Sequence, residues 1–198
     1  MDRPSADDPG DAANVAALLG DGLAARIDRW AADARVDEAA RLRARERWLR
    51  HQAEEEGSLA GVLADVAERG ASVALHVLGG RRHRGEIAVL GSDFVALRSA
   101  GGDVIVALPA VTSVRTLPGE APTIGDRSIG TSHRLVDVLA GLAAERAAVL
   151  LVLADGDEAV GGVVQWVGQD VVGVRVAGGA AVTAYVPVGA IVEVLVDG

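Results

Sequence analysis

Residues 59–115 and 135–196 carry the same succession of apolar stretches and turns, so the chain is built on an internal duplication. In the first copy Leu59, Val62, Leu63 and Val66 recur at helical spacing, with Ser58 placed to cap the helix and Gly70 to end it. Val73, Leu75 and Val77 then alternate with Ala74 and His76, the two-residue period of a strand. Gly79-Gly80 turns the chain into a strand that contains Gly85 and runs on through Leu90. Gly91-Ser92, a strand from Phe94 to Arg98, the hairpin Ala100-Gly101-Gly102, and apolar strands over 104–108 and 111–114 complete the unit. The second copy repeats the helix face with Leu135, Val138, Leu139 and Leu142 and the first strand with Val149, Leu151 and Leu153. Gly161 answers Gly85, Gly168-Gln169-Asp170 answers Gly91-Ser92-Asp93, Ala177-Gly178-Gly179 answers the hairpin, and Ala190-Ile191 answers Ala110-Val111. No helix separates the strands within a copy, which excludes βαβ units and a doubly wound sheet. A mid-strand glycine lets so short a sheet bend sharply. The expectation is an α+β chain: an N-terminal helical arm followed by two tandem five-stranded β-barrels, each preceded by a short helix.

The remaining segments divide the chain further. Residues 1–11 are rich in Asp and Pro and read as a disordered tail. Residues 12–57 read as a helical arm, as one helix or as two broken near Val36. Leu23, Ile27 and Trp30 lie on its apolar stripe and form a candidate partner-binding face. Beyond them the arm is charged, with Asp37–Arg41 and Glu46–Arg50 pairs one turn apart. The first barrel is expected over 58–116 and the second over 135–198. Between them 117–134 holds Pro118, Gly119, Pro122, Gly125 and Gly130 and reads as a linker.

Charge distinguishes the copies. The whole chain has a formal net charge of −9, which opposes bulk attraction to nucleic acid. Residues 58–116 nevertheless carry six Arg against five acids, whereas 135–198 carry two Arg against eight acids. A polyanion would therefore choose the first copy. Its most basic stretch, Arg81-Arg82-His83-Arg84, lies at the first hairpin, with Arg43, Arg47 and Arg50 forming a second basic stripe on the arm. These seven residues are the candidate nucleic-acid contacts, acting by phosphate neutralisation. The stretch of copy two matched to 81–84 is Asp157-Glu158-Ala159-Val160, so the fold itself does not require the basic cluster. Trp30, Trp48, Trp166 and Phe94 are expected as packing anchors.

The chain contains no Cys, and its four His residues show no metal-ligand spacing. Gly80 to Gly85 lacks the Lys-Ser/Thr that completes a phosphate loop. No nucleophile motif is present either. The expectation is a non-catalytic protein with no cofactor and no metal. The acidic start lacks the apolar core of a secretory signal, and no apolar run reaches membrane-spanning length, so a cytoplasmic location is expected.

The stretch Val77 to Val114 resembles the Sm-like small β-barrel family, which includes the bacterial Sm-type RNA chaperones. Gly85 sits where that family bends its second strand, Asp93-Phe94 at its tight turn, and 110–114 at its closing strand. SH3-like barrels present a similar pattern. The chain departs from the RNA-binding members at Val95-Ala96 and Leu108-Pro109-Ala110, where they carry Asn and a basic residue, and at Tyr185-Val186-Pro187 in the second copy. The resemblance implies RNA as a partner, bound through the basic turn of the first barrel. The alternative, drawn from the net charge, the departures above and the apolar runs 149–153 and 191–196, is a structural or adaptor protein that assembles through barrel edges, as a homo-oligomer or an intramolecular pseudo-dimer. In that reading the N-terminal helix recruits a protein partner.

Overall fold

The computed structural model describes residues 9–127, 131–154, 158–178 and 182–196, with side chains from residue 22 onward except 23 and 24. Most of the expected tail, the side chain of Leu23, and Asp157 and Gly179 lie outside the described residues. The chain divides into two compact units, residues 1–52 and 53–198.

The arm is a single uninterrupted helix, α1 (Pro9–Glu56), with no break near Val36. Its long run of Ala, Arg, Glu and Leu explains the continuity, since these are strong helix formers and no proline follows the first turn. Ile27, Trp30, Val36, Leu42, Trp48 and Leu49 are all exposed on it. The guanidinium of Arg26 lies 5.4 Å from the centroid of the Trp30 ring, a cation–π distance.

The second unit begins with α2 (Leu59–Glu68), capped as its sequence predicts: the Ser58 hydroxyl accepts a hydrogen bond from the Gly61 amide at 2.9 Å. Five strands follow: β1 (Ser72–Val77), β2 (Arg82–Leu90), β3 (Phe94–Ser99), β4 (Gly102–Ala107) and β5 (Val111–Thr116). The second copy contributes α3 (Leu135–Glu145), β6 (Ala148–Leu153), β7 (Ala159–Val167), β8 (Val171–Val176), β9 (Thr183–Pro187) and β10 (Ile191–Val196). Both copies therefore have the expected element order.

The expected pair of closed barrels does not form. All ten strands belong to one open antiparallel sheet in the order β5-β1-β2-β3-β4-β10-β6-β7-β8-β9. The physical reason is the fate of the fourth strand. Closing the first copy would need β4 to pair with β5, but β4 pairs with β10 of the second copy, with Val106 opposite Glu193, Ile105 opposite Val194 and Val104 opposite Leu195. Each copy keeps the same internal strand order, and the sheet ends at two unpaired edges, β5 and β9.

This seam shares the cores between the copies. The first core gathers Leu63 and Val66 of α2 with Leu75, Leu97 and Val106, and it includes Val192 of β10. The second gathers Leu139 of α3 with Leu151, Val172 and Val194, and it includes Phe94 and Ile105 of the first copy. Alternate residues of β3 and β4 thus feed opposite cores, β10 feeds both across a register shift between Ile191 and Glu193, and these central strands are covered on both faces. Such strands tolerate continuous apolar runs, which is why Ile191–Val196 reads as it does.

The glycine bend is present in both copies, displaced by one residue from the expected match. A Cβ at Gly85 would lie 2.1 Å from the Arg98 carbonyl oxygen, and one at Gly162 would lie 2.0 Å from that of Arg175. A Cβ at Gly161 would meet only the Leu150 side chain at 3.4 Å. Gly162, not Gly161, is therefore the counterpart of Gly85. The same register makes Glu158, Ala159, Val160 and Gly161 the counterparts of Arg81 to Arg84.

The linker is more ordered than its glycines and prolines suggest. Ser58 N–H donates to the Gly125 carbonyl at 2.9 Å, and Arg69 Nη1 donates to the Ala121 carbonyl at 3.0 Å. Thr123 donates to the Asp65 carboxylate, which also faces Arg127. The Thr123 hydroxyl, and after it the Arg127 charge, hold the Asp65 carboxyl below its ordinary value despite some desolvation. Residues 120–127 are thus strapped along α2.

Candidate functional site

The strand that begins at Arg82 separates the basic cluster by its pleat, because alternate side chains point to opposite faces. His83 stands opposite Leu75 of β1, whose side chain is buried in the first core. Arg82 and Arg84 stand opposite His76 and Ala74, on the other face. The four residues expected to act together therefore serve two different places.

On the inner face, Arg81 and His83 meet Glu193. Arg81 Nε lies 2.8 Å from Glu193 Oε2 and His83 Nε2 lies 2.8 Å from Glu193 Oε1. Glu193 is fully buried, whereas the side chains of His83 and Arg81 are 13% and 40% exposed. These are close polar contacts whose angles depart from hydrogen-bond geometry. They tie the first copy to β10 of the second, alongside the β4–β10 pairing. A buried carboxylate needs such partners, since an uncompensated charge in a core is costly. Glu193 was not anticipated from the sequence. Its counterpart in the first copy is Ser113, opposite His76 as Glu193 is opposite Val152.

On the outer face, Arg82 and Arg84 of β2 are joined by Arg115 of β5 and His76 of β1. They border an open cavity of about 290 Å3 whose far wall is Thr116, Leu117 and Pro118, with His83 at its rim. Ala74 forms its floor, paired with Arg84 on one side and Arg115 on the other. Among the described residues none of the three guanidiniums has a carboxylate partner. Burial, and then the charges of Arg115 and Arg82, hold the His76 imidazole below its ordinary value of 6.5. Arg115 lies far from the basic stretch in sequence, and His76 joins it only because β1 lies between β2 and β5.

The other predicted contacts lie on the arm. Arg43, Arg47 and Arg50 are exposed on α1, and Arg43 Nε donates to the Ala39 carbonyl at 3.1 Å. Ile27 and Trp30 of the candidate partner face are exposed on the same helix. Of the expected packing anchors only Phe94 is buried; Trp30, Trp48 and Trp166 are all exposed.

The free edge β9 carries its own aromatic pair. Trp166 of β7 and Tyr185 of β9 are each registered on Gly173 of the strand between them, with ring centroids 6.1 Å apart. The Trp166 ring covers Gly173 so closely that a Cβ there would fall 2.5 Å from its Nε1, an aromatic cover for a bare strand glycine. Tyr185 itself is 67% exposed.

At the seam, Asp93 joins the copies. Its Oδ1 accepts from the Leu135 amide at 2.7 Å, satisfying the first turn of α3, and Arg134 Nε stands 3.6 Å from its Oδ2. Beside it lies a cleft of about 290 Å3 lined by Leu78, Pro109, Ile191 and Val192, with Asp170 opposite Asp93.

Among the described residues no cluster of three His, Asp or Glu is arranged to hold a metal ion, and no described helix is long and apolar enough to cross a membrane. In comparisons with known proteins, no family model, curated protein or solved structure matches the chain.

Proposed function

We propose that the protein is a non-catalytic structural protein that assembles head to tail with further copies of itself through the sheet edges β5 and β9. The observation that carries this reading is the β4–β10 seam. It joins the fourth strand of one copy to the last strand of the other, and the two free edges are the counterparts of those same strands. Superposing the register of the internal seam on the free edges pairs Val186 with Ser113, Tyr185 with Val114 and Ala184 with Arg115. Joining unlike edges makes a heterologous contact that propagates into a ring or a filament. Unpaired edges otherwise need shielding by charge, proline or a bulge, and β9 offers only Pro187 at its end. Nucleic-acid binding through Arg81–Arg84 is supported less than the composition suggested, because Arg81 and His83 are already engaged by Glu193.

The test is mass by light scattering on nuclease-treated protein across a range of concentrations. The expected result is a mass above one chain that rises with concentration and is unchanged by nuclease. Tyr185→Lys and Val114→Glu, each alone, should reduce the protein to monomers. The two changes combined in one chain should restore assembly, because each seam then pairs Lys with Glu. A monomer at every concentration, or assembly indifferent to both single changes, would overturn the reading.

A further inference from the structure

We propose that the outer-face cavity of the first copy is a phosphate-binding site, in which Arg82, Arg84 and Arg115 hold the oxyanion and His76 adds a further nitrogen. This inference stands on side-chain placement and does not depend on self-assembly.

Three strands bring the groups together. β2 supplies Arg82 and Arg84, two residues apart and on one face; β5 supplies Arg115; and β1, lying between them, supplies His76. The small side chain of Ala74 leaves the hollow between the two arginine rows, and the chain leaving β5 at Leu117-Pro118 closes one side. Among the described residues no carboxylate lines the cavity. The nearest acid on this face of β2 is Glu86, which stands opposite Arg98 of β3 in the register.

Clustering three guanidiniums beside an imidazole opposes folding unless something offsets the repulsion. An exposed surface could have spread them out or paired them with the chain's abundant acids. A tetrahedral, multiply charged oxyanion offsets the repulsion directly, since guanidinium forks match its oxygens in geometry and charge.

The duplication provides the control. In the second copy the same backbone positions hold Ala159 for Arg82, Gly161 for Arg84, Leu195 for Arg115, Val152 for His76 and Leu150 for Ala74. Every charged position of the cavity is apolar there. Neither the strands nor their pairing require the charges, and the first copy alone concentrates them. The polar atoms of Arg81 and His83 are turned to Glu193 on the other side of the pleat, although His83 also borders the rim.

Phosphate can reach the site as the free ion or as the backbone of a single-stranded nucleic acid, and the experiment separates the two. The nuclease-treated full chain is titrated with inorganic phosphate by calorimetry. In parallel it is titrated with an oligoribonucleotide lacking terminal phosphates, at two salt concentrations. The variant R82A/R84A/R115L replaces the three arginines with apolar residues, as the second copy does with Ala159, Gly161 and Leu195, and R98A serves as a charge control on the neighbouring strand. Binding of either probe should weaken about tenfold or more in the triple variant and little in R98A. Phosphate alone binding assigns the site to a small ligand; the oligonucleotide binding more tightly, with steep salt dependence, assigns it to the polymer.

A second readout is the His76 ring proton resonance, followed through pH with and without sulfate, whose charge is constant over the range. Neutralising Arg82 and Arg115 by a bound anion should move the His76 titration upward, so affinity rises as pH falls through it. No binding of either probe at low salt, or binding that the triple variant leaves intact with His76 unmoved, would overturn the proposal.

Discussion

The two copies differ least in what their backbones do and most in what their pleats present. Both run helix and five strands in one order, both bend at a glycine pressed against a carbonyl, and in both the first amide after the fourth strand donates to the carbonyl of the turn aspartate, Leu108 to Asp93 and Val188 to Asp170. Yet the first copy sets three arginines and a histidine on its outer face where the second sets alanine, glycine, leucine and valine. The second copy in turn places a buried glutamate where the first has serine. A duplicated backbone frees the side chains of each copy from having to do the same work. The inner residues that changed did so in complement: Glu193 appears in one copy where Arg81 and His83 face it from the other.

The comparison breaks most visibly at Glu193. Replacing it with Ala leaves His83 and Arg81 facing an apolar seam, and the cost should be about 3 kcal/mol, the low end for a broken buried pair because Arg81 can turn to water. A urea titration should show a lower midpoint with unchanged slope. The double change H83V/E193V, which leaves only the part-exposed Arg81 to turn toward water, should recover most of that loss; a double variant as weak as E193A would mean that His83 and Glu193 are not coupled.

Next come the glycine bends. Gly85→Ala and Gly162→Ala should each destabilise by about 1–3 kcal/mol, because the new methyl meets backbone rather than a yielding side chain. Gly161→Ala should stay within about 0.5 kcal/mol. Thermal unfolding of the three variants distinguishes them, and a large effect at Gly161 with none at Gly162 would restore the pairing of Gly161 with Gly85.

The smallest difference is at the turn aspartates. Asp93 holds the first amide of α3, so Asp93→Ala should cost about 1 kcal/mol. Asp170→Ala should fall within about 0.5 kcal/mol. Equal losses in the two variants would show that both act through their own turns instead.

The repeat, the cap at Ser58 and the order of strands were legible in the sequence because helical and strand periods are local properties. Partnership is not local. The alternation of Val104 to Val106 announces a strand with two apolar faces but not which strand lies beside it, and closed barrels and an open ten-stranded sheet predict the same pattern. Glu193 escaped notice for the same reason: within Ile-Val-Glu-Val-Leu-Val it reads as the exposed side of an edge strand until β4 and β6 cover it. The division of Arg81 to Arg84 was within reach, since a strand beginning at Arg82 must send neighbours to opposite faces. Arg115 and His76 became neighbours only through the β1–β5 pairing. The strap at 120–127 was hidden because glycine and proline mark a turn without saying what the turn rests on.

The position of β10 sets an order of events for the folding chain. This strand follows all the others, yet Val192 belongs to the core of the first copy and Glu193 answers that copy's Arg81 and His83. The first copy can form its local helix and hairpins early, but its interior stays unfinished until β10 has been synthesised. Contacts so distant in sequence slow the search for the native state. Because each core holds residues of both copies, the two copies are expected to unfold in one transition, which calorimetry would check.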